Sequence, residues 1–318
     1  MSKDQTFLQR YTIADVFDRT IAMIGRTWKT SLGLGAVVFA VPAVVLGWAI
    51  LRAVGGVARL VEQAGPDAGI EILWPVARQF SVLPLAGILV GLAFLVVQLS
   101  VMDAVRAQVL EGTHTSRESL RRVMQVAFWP VIGQAILKGL LFGVLLTIPG
   151  GVVFLVVGVL EAGGLGVALA VIIYLAAIVI TLWLSIALFF NAQAVLFDKD
   201  GVISGLSHSM RLVRGNWWRV LGLSILIQLV ISFAMGIIST PLVGVALLPT
   251  VNTLIDTASS PNMTDAEVVR MLSSFSGLGI AAILGTLVQQ LVTVLVVPVY
   301  YTLVFVDLKV RAGELTPE

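Results

Sequence analysis

The chain has no cysteine among its 318 residues and only two histidines. The absence of cysteine excludes disulfide bonds, thiolate metal sites and cysteine nucleophiles from this sequence. Charged residues make up 12% of the chain, against roughly 25% in a soluble domain. Apolar residues reach 58%, and the net charge of +2 gives no indication of nucleic-acid binding. The composition therefore indicates an integral membrane protein.

Long apolar runs predict an all-α, polytopic membrane protein with six transmembrane helices. A helix needs about 20 apolar residues to cross a ~30 Å hydrocarbon core. The predicted spans occupy 30–51, 79–102, 128–160, 162–197, 220–255 and 271–306. The third run is longer than the core, and we expect it to bend or break at Pro149-Gly150-Gly151. A re-entrant segment over 148–166 is the alternative.

The distribution of basic residues predicts the orientation. The segments 1–31, 103–127, 197–219 and 307–318 hold fifteen of the 20 lysine and arginine residues, and the opposite side holds four. This bias places both termini in the cytoplasm. The first thirty residues contain no apolar core of a cleavable signal, so we expect a bacterial inner-membrane protein inserted through its first span.

A weak internal repeat suggests one membrane domain, 1–318, built from three hairpin units. An amphipathic segment covers 1–29, and the units cover approximately 30–105, 106–196 and 197–318. Similar residues close the hairpins. Asp103 is followed three residues later by Arg106, Asp307 is followed four residues later by Arg311, and the fourth span ends in Leu196-Phe197-Asp198. Trp28, Trp129 and Trp217 stand at comparable junctions.

Three amphipathic cytoplasmic helices are predicted to precede the hairpins. Such helices lie in the interface with their basic residues toward anionic headgroups. The expected headgroup contacts are Arg117, Arg121, Arg122, Arg211, Arg214 and Arg219. Two interpretations stay open: these helices are topology and packing devices, or they form a cytoplasmic platform that recognises lipid or a protein partner. On the outer side, loops are predicted at 53–82 and 241–274, the second with a capping box at Thr264–Glu267.

Two stretches resemble the membrane domain of the glycerophosphoryl diester phosphodiesterase family. Residues 207–222 read SHSMRLVRGNWWRVLG and resemble the family signature SWxLxRGxFWRVLG, and residues 300–314 resemble its closing pattern Y.DLR.R..GE. The sequence departs from the family at 208–210, where a serine–tryptophan pair is usual, and at Lys309, which replaces an arginine. The resemblance implies a stand-alone, six-helix member without the catalytic domain.

No catalytic centre, metal site or cofactor site is predicted. The two histidines, His114 and His208, are not accompanied by the acidic clusters of a phosphodiesterase barrel, and the chain has neither an H-E-x-x-H motif nor a Walker A loop. We therefore expect a protein that is not an enzyme.

Polar side chains inside the spans are the remaining candidates for a site. Lys138 lies ten residues into the third span, ~15 Å deep, and Gln134 is one turn before it on the same face. Gln228 and Gln290 lie in the fifth and sixth spans. One interpretation is a polar site for a lipid or small anion, and the other is a lysine that snorkels or pairs and amides that join helices.

The first functional hypothesis is a non-enzymatic scaffold or partner protein in envelope or lipid homeostasis. Its partners would be membrane lipids with anionic headgroups and a protein on the cytoplasmic side. The alternative is a transporter or channel for a lipid or small anion centred on Lys138. Convergence of Lys138, Gln134 and Gln290 on a cavity favours transport, whereas mutually satisfied amides favour the scaffold.

Overall fold

The computed structural model describes residues 9–64, 73–112, 116–159, 163–258, 289–290 and 292–315. Over these ranges every regular element is helical, and six helices are long and apolar enough to cross a membrane, which confirms the predicted multi-pass architecture. The helices are α1 (Ile13–Ala64), α2 (Leu73–Gln79), α3 (Leu83–Leu110), α4 (Ser116–Arg122), α5 (Phe128–Phe154), α6 (Gly164–Ala187), α7 (Asn191–Asp198), α8 (Val202–Arg214), α9 (Trp217–Ala258) and α10 (Val292–Arg311).

The chain divides into two compact units. The first contains residues 1–217 and 298–318, and the second contains 218–297. In the first unit α1 packs against α3, and α5 packs against α6. The division into hairpin units at 30–105, 106–196 and 197–318 stays a prediction.

Two of the predicted amphipathic segments do not form helices of their own. The first is continuous with its span, because α1 runs for 52 residues and nothing between Trp28 and Ser31 breaks the helix. In the second, α4 passes through a π-helical turn at Val123–Ala127 directly into α5. Only α8 is a separate helix, because a turn at Gly215-Asn216 interrupts the chain before α9.

The third span does not end at Pro149. Helix α5 continues past this proline to Phe154, and a π-helical turn follows at Leu155–Val159. A proline in a membrane helix removes one hydrogen bond, and the surrounding helix tolerates this loss. Residues 148–159 therefore extend α5. The re-entrant segment predicted as an alternative covers 148–166, and its residues 160–162 lie outside the described residues.

The predicted outer loops are partly helical. Helix α1 extends to Ala64, and α9 continues through Pro241 and Pro249 to Ala258. The capping box predicted at Thr264–Glu267 lies outside the described residues.

Large apolar side chains cover the outside of the helices along the spans. Val37, Leu140, Leu165 and Phe233 are each more than 60% exposed. Such a surface is unfavourable in water and is typical of helices that face lipid. The protein is thus a multi-pass membrane protein. A closely packed core lies at one end of the first unit, where Leu99, Val123, Val131 and Val195 bring α3, α5 and α7 together.

Candidate functional site

One end of the first unit, which we call the charged end, collects buried ionic side chains. It comprises the last two turns of α3 and α10, the last turn of α7, the first turn of α1 with the residues before it, and the whole of α4 and α8, together with the connecting turns. Burial of charge is costly unless the charge is paired and hydrogen-bonded. The partners of these side chains therefore show which segments the fold holds together.

Asp307, on α10, joins the last described helix to the start of the first. Its carboxylate is fully buried and accepts a hydrogen bond from the backbone amide of Tyr11 at 2.7 Å. Arg311, one turn later, donates from Nε to both Asp307 oxygens at 3.0 Å and from Nη2 to the Tyr11 carbonyl at 2.8 Å. The arginine and the carboxylate thus hold both polar backbone groups of Tyr11.

Asp103 has the corresponding role at the end of α3. Arg106 donates to Asp103 at 2.9 Å and to Glu111 at 3.1 Å. Arg122, at the end of α4, lies 3.8 Å from the Asp103 carboxylate and 3.5 Å from that of Glu111. The buried carboxylate at the exit of the first hairpin therefore faces the amphipathic segment that opens the second.

A third cluster surrounds His208 on α8. Its Nδ1 lies 2.9 Å from Asp200 and 3.5 Å from Asp198, and its Nε2 lies 3.1 Å from Glu314. The Lys309 ammonium lies 2.5 Å from Asp198 and 3.5 Å from Glu314. This cluster connects α7, α8 and the segment after α10.

The three carboxylates Asp103, Asp198 and Asp307 therefore follow one rule. Each lies at the end of a predicted hairpin. Asp103 contacts Arg122 of α4, Asp198 contacts His208 of α8, and Asp307 contacts Tyr11 before α1. These contacts form a ring at the charged end, and the weak repeat itself stays a prediction.

The His208 cluster also has the composition of a metal site. The ligand atoms of Asp198, Asp200 and His208 lie within 4.8 Å of one another. However, the Lys309 ammonium already supplies positive charge to Asp198, and the second ring nitrogen of the histidine is directed to Glu314. The arrangement is thus explained as an ion-pair network.

The electrostatics of the charged end favour the ionised forms of Glu314 and Asp15 and the neutral form of the Tyr11 phenol. Burial opposes ionisation of Glu314, but the hydrogen bond and charge of His208 and the nearby Lys309 lower its pKa below the ordinary value. Burial raises the pKa of Tyr11 to about 12, against the opposing influence of Arg19. Hydrogen bonds from Thr12 lower the pKa of Asp15. The two residues form a capping box at the start of α1.

Inside the bundle, Lys138 and Gln134 belong to one chain of hydrogen bonds. The Lys138 ammonium donates to the Asn191 amide oxygen at 2.8 Å, and the Asn191 amide nitrogen donates to Gln134 at 2.6 Å. Gln134 is fully buried and donates to the carbonyls of Gly201 and Val202 at 3.4 and 3.2 Å. This chain links α5, α7 and the start of α8.

Gln228 and Gln290 do not belong to this chain. Both lie in the second unit, and both side chains are exposed. The structure therefore brings together Lys138 and Gln134 from the predicted polar site and adds Asn191. Gly205 was not foreseen, although it permits this chain, because a Cβ there would lie 2.4 Å from the Gln134 amide nitrogen.

The arginines predicted to contact headgroups fall into three groups. Arg117, Arg121 and Arg214 are exposed. Arg122 contacts Glu111 and Asp103, and Arg211 is exposed with its guanidinium 3.6 Å from Glu314. Arg219 is partly buried near the start of α9, in the second unit.

A cavity of about 370 Å³ opens beside the Asp103 cluster, and no sequence pattern predicted it. Its polar lining includes Arg121, Arg122 and Lys199 as well as Glu111 and Glu118. Lys199 directly follows α7 and brings the end of this helix into the cavity lining. Its backbone adopts the left-handed conformation with φ of 56°.

Comparison with known proteins identifies a family but no activity. No curated protein and no solved structure matches the chain. One family model, described as "Domain of unknown function (DUF7847)", matches residues 31–308. It makes no link to glycerophosphodiester chemistry, so that resemblance stays a prediction. Since the match extends over most of the sequence and all six candidate spans contribute to it, the chain belongs to the DUF7847 family.

Proposed function

We propose that the protein is a non-enzymatic scaffold of the bacterial inner membrane, acting in envelope or lipid homeostasis. Both termini, and with them the charged end, face the cytoplasm. There the exposed arginines contact anionic headgroups, and the surrounding surface receives a protein partner. The observation that carries the proposal is the hydrogen-bond chain from Lys138 through Asn191 to Gln134, in which side chains of the protein pair with one another.

This chain favours a structural role because each polar group in it has a partner supplied by the protein. A transport site must exchange its contacts with a substrate, whereas Gln134 is fully buried and bonded to two backbone carbonyls and to Asn191. Amides of this kind join neighbouring helices in membranes. Lys138 extends the same connection between α5 and α7.

The charged end supports a role at the membrane surface. Arg117, Arg121 and Arg214 are exposed close to the ends of the spans, where basic residues are attracted to anionic lipids by about 1 kcal/mol each. The excess of lysine and arginine on this side supports its cytoplasmic location. The predicted resemblance to a membrane domain of lipid-related phosphodiesterases supports the lipid theme.

The environment of His208 supports the absence of catalysis. Each ring nitrogen faces a carboxylate, at 2.9 Å from Asp200 and 3.1 Å from Glu314. A histidine held in this way has no nitrogen directed at a substrate, as general acid–base catalysis requires.

Transport assays in proteoliposomes test the scaffold against the second hypothesis. We expect the purified protein to leave fluorescent phosphatidylethanolamine and phosphatidylglycerol on their original leaflets, as measured by dithionite quenching, and to give no flux of radioactive phosphate above empty vesicles. Lys138→Met is expected to lower thermal stability without changing the distribution of the lipids between leaflets or the phosphate flux. Lipid exchange or phosphate flux that Lys138→Met abolishes would instead establish the transporter.

A further inference from the structure

The cavity beside Asp103 is lined by opposite charges. It lies between the end of α3, helix α4 and the turn after α7, and its volume of about 370 Å³ is near the lower end of the range for small-molecule sites. Its lining carries three carboxylates and the three cations Arg121, Arg122 and Lys199. The cavity therefore suits a small ligand with charges of both signs.

The cations leave the positive side of the cavity available to an anion. Within the described ranges, neither Arg121 nor Lys199 has a carboxylate oxygen within ion-pair distance. Arg122 has only the long contacts of 3.5 and 3.8 Å to Glu111 and Asp103. Three cations of this kind fit the oxygens of a phosphate group, which arginine binds through two parallel hydrogen bonds.

Two further residues of the lining point to a polar ligand. Ser119 is only 3% exposed, and its hydroxyl-bearing side chain forms part of the cavity lining. Lys199 holds the left-handed backbone position that ends α7, where glycine would be less strained. A side chain at such a position costs conformational energy, and here it adds an ammonium group to the cavity.

The carboxylates of the cavity disfavour a ligand that carries negative charge alone. Glu111 is 45% exposed in its side chain, and it shares Arg106 with the buried Asp103. Glu118 adds a second carboxylate to the same lining. An ammonium group next to the phosphate of the ligand would pair with these oxygens.

The depth of the cavity corresponds to the headgroup layer. Gln125 and Val126 line it, and Trp129, about 4.5–6 Å further along the helix axis, is 71% exposed. Exposed tryptophans gather at the boundary between hydrocarbon and water. A phospholipid beside α5 would thus bring its headgroup to the cavity.

We propose that this cavity is a binding site for a phosphoethanolamine group, with the phosphate on Arg121, Arg122 and Lys199 and the ammonium on Glu111 and Glu118. The proposal rests on the proposed function for the placement of the charged end at the membrane surface. Two sources have this chemistry, the headgroup of phosphatidylethanolamine and soluble phosphoethanolamine.

Native mass spectrometry of the full-length protein, supplied with equal amounts of phosphatidylethanolamine and phosphatidylglycerol, tests the site. We expect one phosphatidylethanolamine to be retained in preference. Lys199→Gly should lower its retention about tenfold, as expected for the loss of one charge-assisted contact. The fold tolerates this change because glycine prefers the left-handed backbone, and a thermal melt verifies it.

Matched variants separate the site from general charge effects. Arg78→Gln removes an exposed arginine at the end of α2 that does not line the cavity, and it should leave retention unchanged. Glu111→Gln should abolish the preference for phosphatidylethanolamine over phosphatidylglycerol. Equal retention of the two lipids by the wild type, or equal retention by the Lys199→Gly and Arg78→Gln variants, overturns the proposal.

Calorimetry with soluble phosphoethanolamine, and with inorganic phosphate for comparison, distinguishes the two sources. Binding of phosphoethanolamine that Lys199→Gly weakens identifies the headgroup chemistry as sufficient, and retention of the lipid alone shows that the acyl chains are required. Failure of both phosphatidylethanolamine and soluble phosphoethanolamine to bind refutes the site. These binding measurements are independent of the transport assays. Lipid exchange together with unchanged binding would therefore contradict the scaffold but not the cavity site.

Discussion

The backbone amide of Tyr11 donates a 2.7 Å hydrogen bond to Asp307, although the two residues are 296 positions apart in the chain. Arg311 completes the connection through the Tyr11 carbonyl. The helix α10 is thereby attached to the segment that opens α1. Because Asp103 and Asp198 make comparable contacts to the openings of the second and third hairpins, this bond closes the ring at the charged end.

Replacement of Asp307 tests whether this closure stabilises the fold. We expect Asp307→Ala to lower the free energy of unfolding by about 3 kcal/mol, since it removes the buried carboxylate to which both the Arg311 Nε and the Tyr11 amide donate. Denaturant titration in detergent micelles measures the loss. The control is Asp18→Ala, which removes an exposed carboxylate of α1. Equal midpoints for the two variants would show that the closure contributes nothing.

Close approach of α8 to Gln134 gives a second prediction. A methyl group at Gly205 would lie 2.4 Å from the Gln134 amide nitrogen and 3.3 Å from Val195. Gly205→Ala therefore displaces Gln134 from its partners, and we expect a loss of about 2 kcal/mol in stability. In Gly25→Ala the added Cβ meets no atom within 4 Å, and helix propensity predicts a neutral or slightly stabilising effect. Indistinguishable thermal melts would contradict this account.

Hydropathy was sufficient to predict the six spans, because each requires only a long apolar run. It also placed Gln134 and Lys138 on one face of α5, since one helical turn separates them. The continuity of α1 was not predicted: the amphipathic pattern of its first turns suggested a separate helix, yet no residue there breaks the backbone. Likewise Pro149 suggested a break, but α5 absorbs it.

The contacts of the ring could not be predicted from one sequence. The similarity of Asp103 and Asp307 was visible, but which segment each carboxylate binds depends on the packing of helices far apart in the chain. Gln228 and Gln290 resembled Gln134 in hydropathy context, and only the structure separates the exposed amides from the buried one. The cavity was missed for the same reason, because α3, α4 and α7 form it together.

The phenol of Tyr11 predicts a loss of stability in alkaline solution. Burial raises its pKa from the ordinary 10.0 to about 12. A raised pKa means that folding favours the neutral phenol, so its contribution is complete below pH 10 and is lost as the pH rises toward 12. The shift corresponds to about 3 kcal/mol as an upper bound. Tyr11→Phe should remove this part of the pH dependence, measured as the difference in melting temperature between the two proteins. Parallel stability curves from neutral pH to pH 12 would exclude the effect.

The absence of cysteine makes the orientation of the helices directly measurable. Single cysteines introduced at Ser207, exposed on α8 at the charged end, and at Ser81, exposed in the 3₁₀ turn before α3, report the two sides of the membrane. Since basic residues are concentrated at the charged end, we expect a membrane-impermeant maleimide to label Ser81→Cys in intact cells. It should label Ser207→Cys only after the inner membrane is opened. The reverse pattern would place both termini outside and would remove the basis for cytoplasmic headgroup contacts by Arg117 and Arg214. The cysteine-free wild type supplies the background in both conditions.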